Sequence, residues 1–92
     1  MDTAEARQLL AAKLAELRQL SYGDLLRYRE PVCVEVAGPS GVVYQVEVEA
    51  FWDDRKRRDL RVLASIDDGG WRAFSPLCDD FIVATDGSFV GE

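Results

Sequence analysis

Pairs of aspartates are the residues in this sequence that come closest to forming a chemical site. The chain contains Asp53-Asp54, Asp67-Asp68 and Asp79-Asp80, with Asp86 after them. Carboxylates at loop ends could converge on a hard cation such as Ca²⁺ or Mg²⁺, but the spacing here matches no EF-hand loop. Aspartate is also a preferred turn residue, because its side chain bonds the backbone two residues further on. We therefore interpret these aspartates as turn and cap residues and predict no metal site.

Acid and base catalysis by carboxylates is a further hypothesis, with Asp67 or Asp68 acting beside Glu47 or Glu49. Such a pair requires one carboxylate that is buried enough to raise its pKa while the other stays ionised. Glu47 and Glu49 alternate with apolar residues, which favours solvated side chains. The chain has no histidine, so it lacks the usual general base near neutral pH and every imidazole zinc ligand. The sequence favours a protein without enzymatic activity, and we expect no cofactor.

A basic cluster interrupts the acidic chain. Its consecutive members are Arg55, Lys56, Arg57 and Arg58, and Arg61 closes it. Together with Trp52, Trp71 and Arg72, residues 55–58 are candidate contacts for a small ligand or for phosphates, because arginines bind phosphate and a tryptophan ring can stack on a base. The net charge of −6 and the aspartates that flank the cluster oppose an approach to nucleic acid. We therefore do not expect a nucleic-acid partner and keep this binding mode as the alternative hypothesis.

The elements that position these residues begin with a helix. Asp2-Thr3-Ala4-Glu5 has the pattern of a capping box, and Ser21-Tyr22-Gly23-Asp24 repeats that pattern before a short second helix, which must end before Pro31. On a helical wheel one face of the first helix carries Ala6, Leu10, Leu14, Leu17 and Leu20. That stripe is apolar at the spacing of an amphipathic helix, so we predict that it packs on a sheet.

After Pro31 the apolar period changes from 3.6 to 2, which indicates strands. We predict strands over residues 32–37, 44–52, 60–67 and 71–75, then a short strand from Asp80, an Asp86-Gly87 turn and a brief return. Alternation between apolar and polar residues is typical of antiparallel sheets with one covered face. The predicted fold is α+β, with the N-terminal helix and a short second helix packed on one face of an antiparallel meander of about four to five strands.

The other face of this predicted sheet carries apolar residues among charged ones. The candidate protein-binding face consists of Glu35, Glu47, Glu49, Phe51, Leu63 and Phe74. Apolar side chains rimmed by charge are the usual anatomy of an interaction patch. Two alternatives stay open, namely that residues 81–90 fold back over this face and that a homodimer buries it. The partner would accordingly be another protein or a second copy of the chain.

The length of 92 residues predicts a single domain, with residues 1–30 helical and residues 31–92 forming the sheet. The sequence has no apolar run long enough to cross a membrane and no signal-peptide pattern at its start. Cys33 and Cys78 are too few for a disulfide framework, so reduced thiols in the cytoplasm are favoured over a single bond between them. The sequence does not determine a function. The favoured hypothesis is a small, non-enzymatic cytoplasmic interaction module that uses an acidic sheet face.

Overall fold

The computed structural model describes residues 2–69 and 76–92. In chain order its elements are α1 (Thr3–Arg18), α2 (Tyr22–Leu25), a 3₁₀ helix (Leu26–Arg29), β1 (Val32–Ala37), β2 (Val43–Trp52), β3 (Leu60–Asp67) and β4 (Leu77–Val83). The strands form one sheet in the order β1-β2-β3-β4, and each neighbouring pair is antiparallel. This meander with its two N-terminal helices confirms the predicted α+β fold. The strand predicted at 71–75 lies outside the described residues.

Local sequence explains where α1 begins and which side of it faces the sheet. The side chain of Asp2 accepts a hydrogen bond from the backbone N–H of Glu5 at 3.1 Å and so caps one of the free N–H groups at the helix start. The buried residues of α1 are those of the predicted stripe, Ala6, Leu10, Leu14 and Leu17. The helix therefore packs its apolar stripe on the sheet, chiefly over β3 and β4.

The second helical segment also follows its sequence signals. The hydroxyl of Ser21 accepts a hydrogen bond from the backbone N–H of Asp24 at 3.1 Å, which caps α2. The 3₁₀ helix ends at Arg29, and the backbone of Glu30 is extended, as expected of the residue before Pro31. This segment buries Leu25 and Tyr28 and packs against β2.

The face of the sheet that contacts the helices is called the inner face here. Its core members come from alternate positions of three strands, namely Tyr44, Val46, Val48, Ala50, Leu60, Val62, Ala64, Ile66, Phe81 and Val83. On β3 the buried and half-buried residues alternate along the whole strand. The period-2 pattern therefore predicted the inner face of β2 and β3 correctly.

The last strand begins earlier than the sequence pattern predicts. β4 starts at Leu77, immediately after Pro76, and not at Asp80, because residues 77–83 all pair with β3. After the Asp86-Gly87 turn the chain returns, and Phe89 forms an isolated bridge with Val83. This return confirms the brief final segment that the sequence predicts.

Within the described ranges, no helix is long and apolar enough to span a membrane.

Candidate functional site: the outer face of the sheet

The outer face is the side of the sheet opposite the helices, and cross-strand pairing places its residues in rows. Cys33, Glu47, Ser65 and Cys78 form one row across the four strands, and Glu35, Gln45 and Asp67 form the next. On the other side of the first row lie Glu49, Leu63 and Asp80, followed by Phe51, Arg61 and Ile82. The structure thus brings together five of the six residues predicted as a protein-binding face. The sixth, Phe74, lies outside the described residues.

Carboxylates dominate this face. Glu35, Glu47, Glu49, Asp67 and Asp80 project from it, whereas Arg61 is its one basic side chain in the described part of the chain. Successive outward residues on one strand are about 7 Å apart, so Glu47 and Glu49 are close neighbours on β2. Neither glutamate has an ion-pair partner among the described residues. The outer face is therefore strongly acidic around the middle of β2.

The guanidinium of Arg61 bonds two carboxylates. Its guanidinium lies 2.8 Å from Asp53 and also bonds Asp80 across the β3–β4 pair. The hydrogen bonds to Asp80 and then Asp53 raise the pKa of Arg61 above its usual value. Because Arg61 is shared between these two aspartates, it does not neutralise Glu47 or Glu49.

Apolar side chains surround this ion network. Phe51 lies directly opposite Arg61 and is 42% exposed. Leu63 lies one row away between Glu49 and Asp80, and Ile82 pairs with Arg61 from the other side. Exposed apolar side chains beside charged ones are typical of surfaces that bind other proteins.

The C-terminal segment does not lie over the outer face. Phe81 and Val83 point into the inner core, and the Phe89 ring packs edge-on against Phe81 with 5.6 Å between centroids. The guanidinium of Arg18 on α1 lies 4.6 Å from the centre of the Phe89 ring and bonds Glu92 at 2.8 Å. These contacts direct residues 88–92 along the edge of β4 and toward the helix. The described residues therefore do not support the alternative that residues 81–90 fold back over the outer face.

The consecutive members of the basic cluster lie on the loop between β2 and β3. Arg55, Lys56, Arg57 and Arg58 are all exposed. The carboxylate of Asp54 accepts the backbone N–H groups of Arg58 and Asp59, and these bonds, the one from Arg58 above all, lower the pKa of Asp54. The hydroxyl of Tyr22 donates to the carbonyl of Arg58 at 2.6 Å, which ties this loop to α2. The loop is therefore well anchored and presents four cations to solvent.

Trp52 is separated from this loop surface by its position on the inner side. It is half-buried against the core, and the guanidinium of Arg29 lies 4.8 Å from the centre of its ring. Its indole nitrogen is buried and has no hydrogen-bond partner within the described ranges. Arg29 therefore occupies one of the two ring faces on which a base could stack. Trp71 and Arg72, the other candidate ligand contacts, lie outside the described residues.

The aspartates that first suggested a metal site make local hydrogen bonds. Asp67 accepts from the N–H of Gly69 at 2.7 Å, and Asp86 accepts from both the N–H and the hydroxyl of Ser88. The hydroxyl bond of Ser88 is the main cause that lowers the pKa of Asp86. In the chain as far as it is described, no three potential ligands lie close enough together to hold a metal ion.

The two cysteines occupy opposite ends of one row of the outer face. Cys33 on β1 and Cys78 on β4 are three strand spacings apart, or about 14 Å at about 4.8 Å per spacing. A disulfide needs Cα atoms within about 7 Å of each other, so these two residues cannot be bonded to each other in this fold. Both thiols are free and exposed, and partial burial raises the pKa of Cys78.

Glu5 makes the contact that sequence reasoning missed most clearly. The capping-box pattern predicts that its carboxylate bonds the start of α1, but that carboxylate is bonded instead to the N–H and hydroxyl of Ser40 and to the hydroxyl of Tyr44. These bonds, led by the one from the Ser40 hydroxyl, lower the pKa of Glu5. Glu5 is separated from Ser40 by 35 positions and from Tyr44 by 39 positions in the sequence. Contacts over such separations leave no local sequence signal.

No family model matches the chain, and no curated protein or solved structure is significantly similar to it.

Proposed function

We propose that this protein is a small, non-enzymatic interaction module that binds a basic or mixed-charge surface of another protein through its acidic outer face. The observation that carries the proposal is the pair of neighbouring glutamates, Glu47 and Glu49, on a sheet face that no described residue covers, and neither has an ion-pair partner in the described ranges. Opposite charges across an interface steer association and select the partner.

Two further features support the proposal. Phe51 and Leu63 add apolar surface beside the glutamates, and burying such surface on binding supplies affinity that charge alone does not. A cytoplasmic location belongs to the proposal because Cys33 and Cys78 are exposed free thiols, and exposed thiols persist most readily in a reducing compartment.

Affinity capture with matched charge variants tests this function. The bait variant Glu47→Lys/Glu49→Lys reverses the charge of the outer face, and Asp24→Lys/Glu30→Lys makes the same change in net charge at exposed positions outside that face. We expect one protein to be retained by the wild type and by the control variant, to be released by salt, and to be lost from the outer-face variant. A partner that all three baits retain equally, or no partner at all, would contradict the proposal.

A second candidate function is the binding of a phosphate-bearing ligand or nucleic acid at the β2–β3 loop. The observation that favours it is the run of four exposed cations, residues 55–58, on an anchored loop. Fluorescence anisotropy with a labelled single-stranded oligonucleotide tests it, with Arg55→Gln/Lys56→Gln as the variant. Binding that weakens steeply with salt and with this variant would favour the second function, because phosphate contacts release counterions.

A further inference from the structure

The two edges of the sheet differ in what lies beside them. Along β4 the returning chain supplies hydrogen bonds, from the N–H of Val90 to the carbonyl of Ile82 at 2.9 Å and from the N–H of Ala84 to the carbonyl of Ser88 at 2.8 Å. At the opposite edge, β1 has no strand beside it in the described part of the chain. Unpaired edges are templates for the addition of another strand.

The pairing register identifies which backbone groups of β1 face outward. The N–H of Gly38 bonds the carbonyl of Val42 at 2.8 Å, at the turn that continues the β1–β2 ladder. Hydrogen-bonded and non-hydrogen-bonded pairs alternate along an antiparallel ladder. Val32, Val34 and Val36 therefore bond β2. The N–H and C=O groups of Cys33, Glu35 and Ala37 point away from the sheet, toward the free edge.

The side chains of these outward-bonding residues lie on the acidic face. Glu35 is exposed there, and Glu47 is the cross-strand neighbour of Cys33. In an antiparallel pair, residues directly opposite each other project to the same face. Every second residue of an added strand would therefore lie beside Glu35 and, with a long side chain, reach toward Glu47. Lysine and arginine have the charge and length for these positions.

The other face at this edge is apolar. Val32 and Val34 are 43% and 42% exposed, although they project to the same side as the core. Because α1 packs over β3 and β4, an open groove of about 170 Å³ remains beside β1. Its lining residues are Leu9, Ala12, Lys13, Glu16, Val36 and Val46. The remaining residues of an added strand would lie on this side, where apolar side chains gain most from burial.

We propose that the partner binds by adding an extended segment antiparallel to β1, in which lysine or arginine alternates with valine, isoleucine or leucine. This inference rests on the proposed function and names the binding mode of that acidic face. Main-chain bonds to Cys33, Glu35 and Ala37 supply affinity, and the two faces of the edge select the alternating sequence.

A second copy of this chain fits the same edge less well. Antiparallel pairing of two β1 strands would set two acidic outer faces side by side, and each chain carries a net charge of −6. Like charges at an interface disfavour the complex. Charge complementarity therefore selects a basic strand over self-pairing.

The test uses an acetylated and amidated octapeptide of alternating valine and lysine, titrated into the full chain by calorimetry. Two modified peptides carry N-methyl groups, one on its central lysines and the other on its central valines. In antiparallel pairing the lysine N–H groups bond β1, so we expect lysine methylation to weaken binding by about tenfold or more and valine methylation to change it by no more than about twofold. An octapeptide of the same composition, in which all valines are grouped in one block and all lysines in the other, controls for the alternating sequence.

Other results would overturn the binding mode. It is wrong if no peptide binds, if both methylated peptides bind like the unmodified one, or if the valine-methylated peptide alone loses binding. The proposal is also wrong if the wild-type chain sediments as a dimer and the Ala37→Pro variant does not. That result would show that a second copy of the chain binds the β1 edge. Circular dichroism of Ala37→Pro checks that the variant folds, since proline is tolerated at an edge position whose N–H faces solvent.

The two proposals fail in distinguishable ways. One result would support binding through the acidic face and contradict strand addition at β1. In that result, Glu47→Lys/Glu49→Lys abolishes binding of the unmodified peptide, while the wild-type chain binds both methylated peptides as tightly as the unmodified one. If the charge-reversed variant binds the peptide as tightly as the wild type does, the acidic face itself is wrong.

Discussion

The inner and outer faces of the sheet are built from alternate residues of the same strands, yet they have opposite surroundings. On β3, Leu60 and Ile66 are fully buried beneath the helices, whereas Arg61 and Leu63 between them project to a face that no described residue covers. The inner face therefore supplies the burial that holds the fold together. The outer face is then free to carry unpaired charge, because little folding free energy depends on it.

The single long helix covers β3 and β4 but leaves the inward valines of β1 partly exposed. Within residues 2–69 and 76–92, both faces of edge strand β1 are therefore largely open, and this is where we place the added strand.

The largest expected effect comes from truncating matched leucines on the two faces of β3. Leu60→Ala should destabilise the fold by about 2–5 kcal/mol, because it leaves a cavity in the core. Leu63→Ala should cost less than about 1 kcal/mol, since its side chain is half-exposed on the outer face. Urea denaturation of both variants measures the difference. Equal losses would mean that the outer face is packed as tightly as the inner one.

A smaller loss of stability is expected at alkaline pH, where Tyr44 on the inner face ionises. Burial, and then the hydrogen bond to Glu5, raises the pKa of Tyr44 to about 12. An unfolded tyrosine ionises near pH 10, so between these two pKa values the unfolded state holds fewer protons and stability falls as pH rises. Absorbance of tyrosinate should show a late titration that Tyr44→Phe removes. A Tyr44 that ionises near pH 10, as it does in the unfolded chain, would contradict its burial.

The smallest of these effects concerns the link between α1 and the β1–β2 turn. The pKa of Glu5 is lowered in the folded state, first by the Ser40 hydroxyl, so its contribution is full above the unfolded pKa and is lost as pH falls through the folded one. Glu5→Gln should lower the thermal midpoint at pH 7, and this difference should shrink below about pH 4. Glu30→Gln, at an exposed position in the second helical segment, is the control. A pH-independent difference would mean that the Glu5 charge is unimportant.

The sequence predicted much of this fold because its strongest signals are local. Alternation over residues 60–67 separated the two faces of β3, and the Asp2 and Ser21 caps marked the helix starts. Alternation along β1, β2 and β3 places five of the six outer-face candidates on one face. Periodicity tells which residues share a face, since side chains on a strand alternate by geometry.

Other features depend on tertiary packing and left no local pattern. The contact of Arg29 with Trp52, the bonds from Glu5 to the β1–β2 turn, and the exposure of Val34 all follow from where the helices lie. The early start of β4 was missed because Asp79-Asp80 has the composition of a turn, whereas pairing with β3 holds these residues in a strand.

Thiol accessibility measures directly whether the outer face is open to solvent. Cys33 and Cys78 lie at opposite ends of one outer-face row, so neutral N-ethylmaleimide reports on both sides of that face. Labelling followed by mass spectrometry, at several protein concentrations, compares native and urea-denatured chains. We predict that both cysteines react within about tenfold of their denatured rates, with Cys78 the slower because burial raises its pKa. Protection of either thiol by about 100-fold or more would show that the chain or a second copy covers this face, and that the outer face is not open.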